Sequence, residues 1–252
     1  MKRAALPKSF RKYYGRWFDT LYYDRGIQPF TTFLRNNANK QVAIDLLKNF
    51  LAKPEEAIAL EIGPGSDPLI TLLPFKEHHF IEHSEKLARS IRSKQGHLVE
   101  IVDIRKHLFR IRRNLGVVVV NEVFSHIKPS ERVEVLKKLA EVTQTLFIID
   151  RMLVPLDEIK RRIELRVKAT LANAATNADL IKKFPVVREY IAQEKGEIKV
   201  ANQQKAHLDQ IIRLERQNLV NFVGFSKYLE KRGWQVDIVN MGAYSILMAK
   251  TK

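Results

Sequence analysis

Apolar positions along the chain switch between helical and strand spacing. Val42, Ile44, Leu46, Leu47, Phe50 and Leu51 recur at helical spacing over residues 39–53, and Pro54 ends that helix. Residues 57–62 are an apolar run of strand length, stopped by Gly63-Pro64-Gly65. Apolar positions resume at 69–73, as the helix after the first strand. Residues 79–82 read as a second strand and 97–103 as a third, with Ser84 placed to cap the helix between them. The β-branched run 116–121 is the clearest strand and has the pattern of one buried on both faces. Pro129 and Ser130 open a helix through Val142, with Val133, Leu136, Leu139 and Ala140 on one face, and 145–150 is a fifth strand.

Residues 151–222 break this rhythm. Ile159, Ile163 and Val167 mark one helix, and Leu208, Ile211, Ile212, Leu219 and Phe222 mark another, with Pro185 and Gly196 dividing the segment. A short helix over 226–232 is closed by Gly233, and 234–240 with 243–249 read as a hairpin around a Met-Gly turn. Strands alternating with helices predict an α/β fold, with ligands at the carboxyl ends of the strands. Gly63 and Gly65, which have no Cβ, let a ligand approach the backbone there.

Glu61-x-Gly63-x-Gly65-x-Asp67 resembles the acidic-x-Gly-x-Gly-x-Gly signature of class I S-adenosylmethionine (SAM) dependent methyltransferases, with Asp67 standing where a third glycine would be. The ending, helix-Gly233-Trp234-strand-turn-strand, resembles the last helix and strand pair of that family. The resemblance covers roughly residues 40–150 and 223–250. It implies a Rossmann-like fold: a mostly parallel seven-stranded sheet with a helical insertion after strand five. It implies SAM as cofactor, with Glu61, Gly63, Gly65, Glu82, Asp103 and Asn121 as the cofactor-binding set. Glu82 would accept the ribose hydroxyls and Asp103 the adenine amino group. Glu82 also lies about twenty residues past the first glycine, the spacing of a ribose-binding acid in dinucleotide folds.

Methyl transfer is an in-line displacement that needs alignment, and a base where the acceptor carries a proton. Glu122 and His126, just past strand four, are the candidates; His126 reads equally well as a structural histidine. Asn121-Glu122-Val123-Phe124 half-matches the Asn-x-Pro-aromatic motif of adenine-N6 methyltransferases, without its proline. His78, His79 and His83 lack a positioned third ligand, so no metal is expected.

Composition adds a polyanion to the possible partners. Lys and Arg total 44 against 28 acids, a net charge of +16, which attracts nucleic acid. Residues 1–36 form a basic, aromatic arm in which Lys2, Arg11 and Arg16 alternate with Tyr13, Trp17 and Phe18. It reads first as a helix packed on the domain and second as an RNA contact. Residues 37–252 are expected to be the methyltransferase domain, with 151–222 a helical lid. The expected acceptor is a small molecule. The alternatives are RNA and, from another class, a non-catalytic binding module. With no cysteine, disulfides and thiolate chemistry are excluded. No apolar run has spanning length and no export signal is evident, so a cytoplasmic protein without membrane association is expected.

Overall fold

The computed structural model describes residues 30–65, 68–95, 99–104, 115–183, 198–199, 202–203, 205–241 and 244–251. Most of the arm, Asp67, the basic stretch 105–113, Pro185 and Gly196 lie outside these residues. The chain divides into two compact units. One is Leu34–Leu153 with Gln217–Lys252, and the other is Val154–Arg216 with the residues before Leu34.

The first unit is built on seven strands: β1 (Ile58–Ile62), β2 (Glu77–Glu82), β3 (Val99–Ile101), β4 (Val117–Asn121), β5 (Thr145–Asp150), β6 (Trp234–Met241) and β7 (Tyr244–Thr251). Their order is β3-β2-β1-β4-β5-β7-β6. All neighbours are parallel except β7, which runs against both β5 and β6. The order reverses between β1 and β4, where an open α/β sheet leaves room for a ligand.

The central strands are apolar throughout because both faces are covered. Ala59, Val117, Val119, Phe147 and Ile149 share one core layer with Ala43, Ile44 and Leu47 of α1 (Phe30–Phe50) and Ala88 and Ile91 of α2 (Glu85–Gln95). Leu60, Ile62, Val118, Val120, Leu146 and Ile148 face the other layer. That layer holds α3 (Arg132–Val142) and α6 (Phe222–Glu230), the latter following α4 (Leu156–Lys183) and α5 (Leu208–Asn218) in the chain.

Several boundaries differ from the sequence reading. Helix α1 begins at Phe30, ahead of 39, through Thr and Asn positions that are weak helix formers and gave no pattern. On α3 the buried face includes Arg132 and Val135, while Val133 is half exposed. Helix α6 starts at Phe222, with the Asn221 side chain accepting the Gly224 N–H at 2.9 Å. Gly233 ends it at φ +83°, and Ser84 caps α2, as expected.

The clearest correction is the helix expected after β1. Residues 69–73 make only a short 3-10 turn, Ile70–Leu72. Pro68 and Pro74 bracket the segment, so no second helical turn can form. The His78 ring takes over the satisfaction of its carbonyls: Nε2 donates to Ile70 O and Leu73 O at 3.1 and 3.2 Å. Leu69, Ile70, Leu73 and Phe75 still fill the core layer that a helix would have filled.

In the second unit, Ile159, Ile163 and Val167 form the buried stripe of α4, and Ile211 and Ile212 are buried on α5. Of the basic residues on α4, Arg161 and Arg162 both bond Glu158 at 2.7 Å, so part of that charge is balanced locally. No helix among the described residues is long and apolar enough to cross a membrane.

Candidate active site

Six residues singled out for the cofactor lie where β1 to β4 end. Glu61 lies at the end of β1 with Gly63 and Gly65 just after it, Glu82 closes β2, Asp103 follows β3, and Asn121 ends β4. Gly63 and Gly65 both have positive φ, +72° and +62°, the left-handed region that favours glycine. At Gly63 the need is also steric: a Cβ would stand 2.4 Å from Val123 Cγ2 and 2.9 Å from Asn121 O. The glycine turn is thus packed against the end of β4.

Glu61 is fully buried. Its Oε2 accepts the N–H groups of Leu69 and Ile70 at 2.8 and 3.0 Å, fixing the far side of the glycine turn. Its Oε1 is buried without a hydrogen-bond partner. Burial pushes the carboxyl up to about 7, against the pull of the Ile70 and Leu69 amides, the Lys40 charge and the Asn121 side chain. Asn121 lies near enough to favour the anion but closes no bond of normal geometry on Oε1.

Glu82 is 3% exposed and bridges the turn to the next strand. Oε2 accepts Gly65 N–H at 3.2 Å and Oε1 accepts Ser84 N–H at 2.9 Å, with His83 Nδ1 3.2 Å from Oε1. Oε2 keeps a second lone pair for a ligand hydroxyl, while Oε1 has both the Ser84 amide and the His83 ring beside it. The acids at the ends of β1, β2 and β3 therefore suit a ligand that carries positive charge and adjacent hydroxyls, the chemistry of SAM.

Beyond β4, Glu122 has φ +54°, the one non-glycine residue with positive φ among those described. The Tyr244 hydroxyl donates to its Oε2 at 3.1 Å, and its own N–H donates to Ile149 O at 2.8 Å. A non-glycine residue held in this region costs about 1–3 kcal/mol, and the contacts to Tyr244 and Ile149 help to hold it in place. His126 ends the 3-10 turn Phe124–His126. Partial desolvation of its ring, then the charges of Arg151, His83 and Arg132, hold it below the ordinary histidine value, although the residue is exposed at the surface.

Two buried residues here escaped the sequence reading. Asp150, fully buried at the end of β5, accepts Ser125 N–H on Oδ2 at 3.0 Å and Arg151 N–H on Oδ1 at 2.8 Å. Burial raises its carboxyl above the usual range. Arg132, 5% exposed, donates to Ile127 O at 2.9 Å, Leu219 O at 2.6 Å and Gln217 O at 2.7 Å. No local pattern could mark it, because two of its partners lie 87 and 85 residues away. No group of three or more metal-ligating side chains occurs among the described residues.

No family model matches the chain, and no curated protein matches it. Solved structures do. Magnesium protoporphyrin IX methyltransferase from Synechocystis PCC 6803 with bound SAM is 12% identical, with a TM-score of 0.55 over 100% of both chains. The plantazolicin methyltransferase BpumL in complex with SAH is 12% identical, at 0.53, over 97% of this chain and 91% of that one. An O-methyltransferase family protein from Burkholderia thailandensis is 14% identical, at 0.52, over 96% and 69%. Together with the strand order and the antiparallel β7, these likenesses define the fold as that of the class I SAM-dependent methyltransferases.

Proposed function

We propose that the protein transfers a methyl group from SAM to a small-molecule acceptor. The observation that carries this reading is Glu61: a fully buried carboxylate with one oxygen on the loop amides and the other unpartnered, beside two left-handed glycines. A buried carboxylate with one oxygen short of partners is costly, and a cation bound beside the glycine turn offsets that cost through its charge. Glu82 and Asp103 supply the acceptors for ribose and adenine, and Asn121 the polar end of β4. Bound SAM supplies the methyl group on a sulfonium. This chain binds and orients it, and His126 or Glu122 takes the proton of an acceptor that carries one. The likeness to a magnesium protoporphyrin IX methyltransferase supports the choice of acceptor class. A cytoplasmic location belongs to the same proposal, and the lack of cysteines fits it.

Titration calorimetry with SAM tests the reading. Glu82→Ala is expected to weaken binding roughly ten- to a hundredfold, since a hydrogen bond to a charged group contributes about 1.5–3 kcal/mol. Asp103→Ala should cost less, as it meets one amino group. Glu85→Ala, exposed on α2, is the control and should change little. Wild type without measurable affinity for SAM would leave the fold as a binding module.

The net charge of +16 favours a second reading, RNA as acceptor. Here deletion of residues 1–17 is expected to weaken RNA binding and flatten its salt dependence while SAM affinity holds. Equal RNA affinity with and without those residues would remove the arm as a contact. No RNA affinity in either protein would leave the small-molecule reading alone.

A further inference from the structure

The insertion leaves and rejoins the sheet unit through a stem. Met152 and Val220 form a parallel bridge, in which Val220 N–H donates to Arg151 O and Leu153 N–H donates to Val220 O, both at 2.7 Å. Two side chains tie this stem to the turn that carries His126. Asp150 holds the Arg151 amide with one oxygen and the Ser125 amide with the other. Arg132 grips Ile127 O on one side and Gln217 O and Leu219 O on the other. His126 thus sits between two anchored neighbours, Ser125 and Ile127, each joined to the stem through one buried charged group.

We infer that Arg132 and Asp150 are positioning residues that fix the His126 turn to the stem of the insertion. The inference rests on the reading of His126 as an acceptor-side group, and it deepens that reading by naming what holds the imidazole in place. The chemistry suits the task. A guanidinium presents five N–H donors in a rigid fork and can satisfy carbonyls on two segments at once, which an ammonium on a flexible stem cannot. A carboxylate has two oxygens for two amides, whereas an asparagine side chain presents an N–H group to one of them. Losing either contact leaves a buried backbone group unsatisfied.

The test uses the full chain with Arg132→Lys and Asp150→Asn, and reads the His126 ring by NMR titration and the backbone by hydrogen exchange. The charges that lower His126 are Arg151 just after β5, His83 after β2 and Arg132 on α3; the nearby acids are Glu122, which precedes the turn, and Asp150, which holds the Ser125 amide. Asp150→Asn removes an anion, which by charge alone would lower the His126 value further. Arg132→Lys keeps the cation, which by charge alone would leave it unchanged. Release of the turn lets water reach the ring more fully, which removes the desolvation and raises the value in both variants. The expected result is an upward shift in both, with Ser125, Ile127 and Val220 amides exchanging at least about tenfold faster. Amides of β1 and β4 should keep their protection. A His126 value that falls or stands still in Asp150→Asn, or unaltered exchange at 125–127 and 220, would overturn the inference. Should Arg132→Lys fail to fold, the near-isosteric Asp150→Asn decides by the same sign. SAM calorimetry on wild type separates the two claims, because loss of the functional reading leaves the titration and exchange results standing.

Discussion

Glu61→Gln is expected to remove about 3 kcal/mol of pH-dependent destabilisation between pH 4.5 and 8. The fully buried carboxyl ionises at about 7 in the folded protein, against 4.5 when solvated. Below 4.5 both states hold the proton, so the group costs nothing. Between 4.5 and 7 the unfolded chain releases its proton and the folded chain keeps it, which favours unfolding. Above 7 the full difference applies, at about 1.4 kcal/mol per unit. Glutamine can still accept the Leu69 and Ile70 amides through its carbonyl oxygen, so the turn should stay in place. Urea denaturation of both proteins at pH 4.5, 6 and 8 measures it: the wild type should lose about 3 kcal/mol relative to the variant across the series. A constant difference would mean that Glu61 titrates normally. The same group makes ligand binding proton-linked. A cation bound near the buried carboxylate favours the anion, so SAM affinity should rise as pH passes through 7, with a proton released. The variant should bind more weakly and show no such slope.

Gly63→Ala has an expected effect of similar size. At φ +72° an L-residue costs roughly 1–2 kcal/mol. The new Cβ would also stand 2.4 Å from Val123 Cγ2 and 2.9 Å from a backbone oxygen, and overpacking of that kind costs about 1–3 kcal/mol. The variant should therefore lose about 2–5 kcal/mol of stability, and its turn should bind SAM far less well. Gly233→Ala separates the two terms. Gly233 has φ +83° and nothing within 4 Å of an added Cβ, so only the backbone cost applies. A Gly63→Ala loss no larger than that of Gly233→Ala would show that the turn can shift away from β4.

The sheet was legible because its central strands are buried on both faces. Val117, Val118, Val119 and Val120 leave no other reading, and the layers then fall out of simple alternation. Glu82 stands out by its spacing from the first glycine, whereas Glu61 and Asp103 are singled out by the family resemblance alone. What stayed hidden depended on partners far along the chain. Asp150 reads as a strand-end acid and Arg132 as one more cation on a charged helix, until burial shows what each one holds. The helix after β1 was over-read for a different reason. Leu69, Ile70 and Leu73 do enter the core, but Pro68 and Pro74 leave room for a single turn, and backbone geometry overrode the apolar pattern.

The placement of β7 has a consequence during synthesis. Strand β5 pairs on one side with β4, already made, and on the other with β7, which begins roughly ninety residues later. All of α4 and α5 must leave the ribosome in between. At about 5–20 residues per second, one edge of the Leu146-Phe147-Ile148-Ile149 strand waits roughly 5–20 s for its neighbour. An unpaired apolar edge is a template for association with other chains. Nascent chains truncated before β7 should therefore be the species that chaperones capture or that aggregates, while full-length chains close the edge on release.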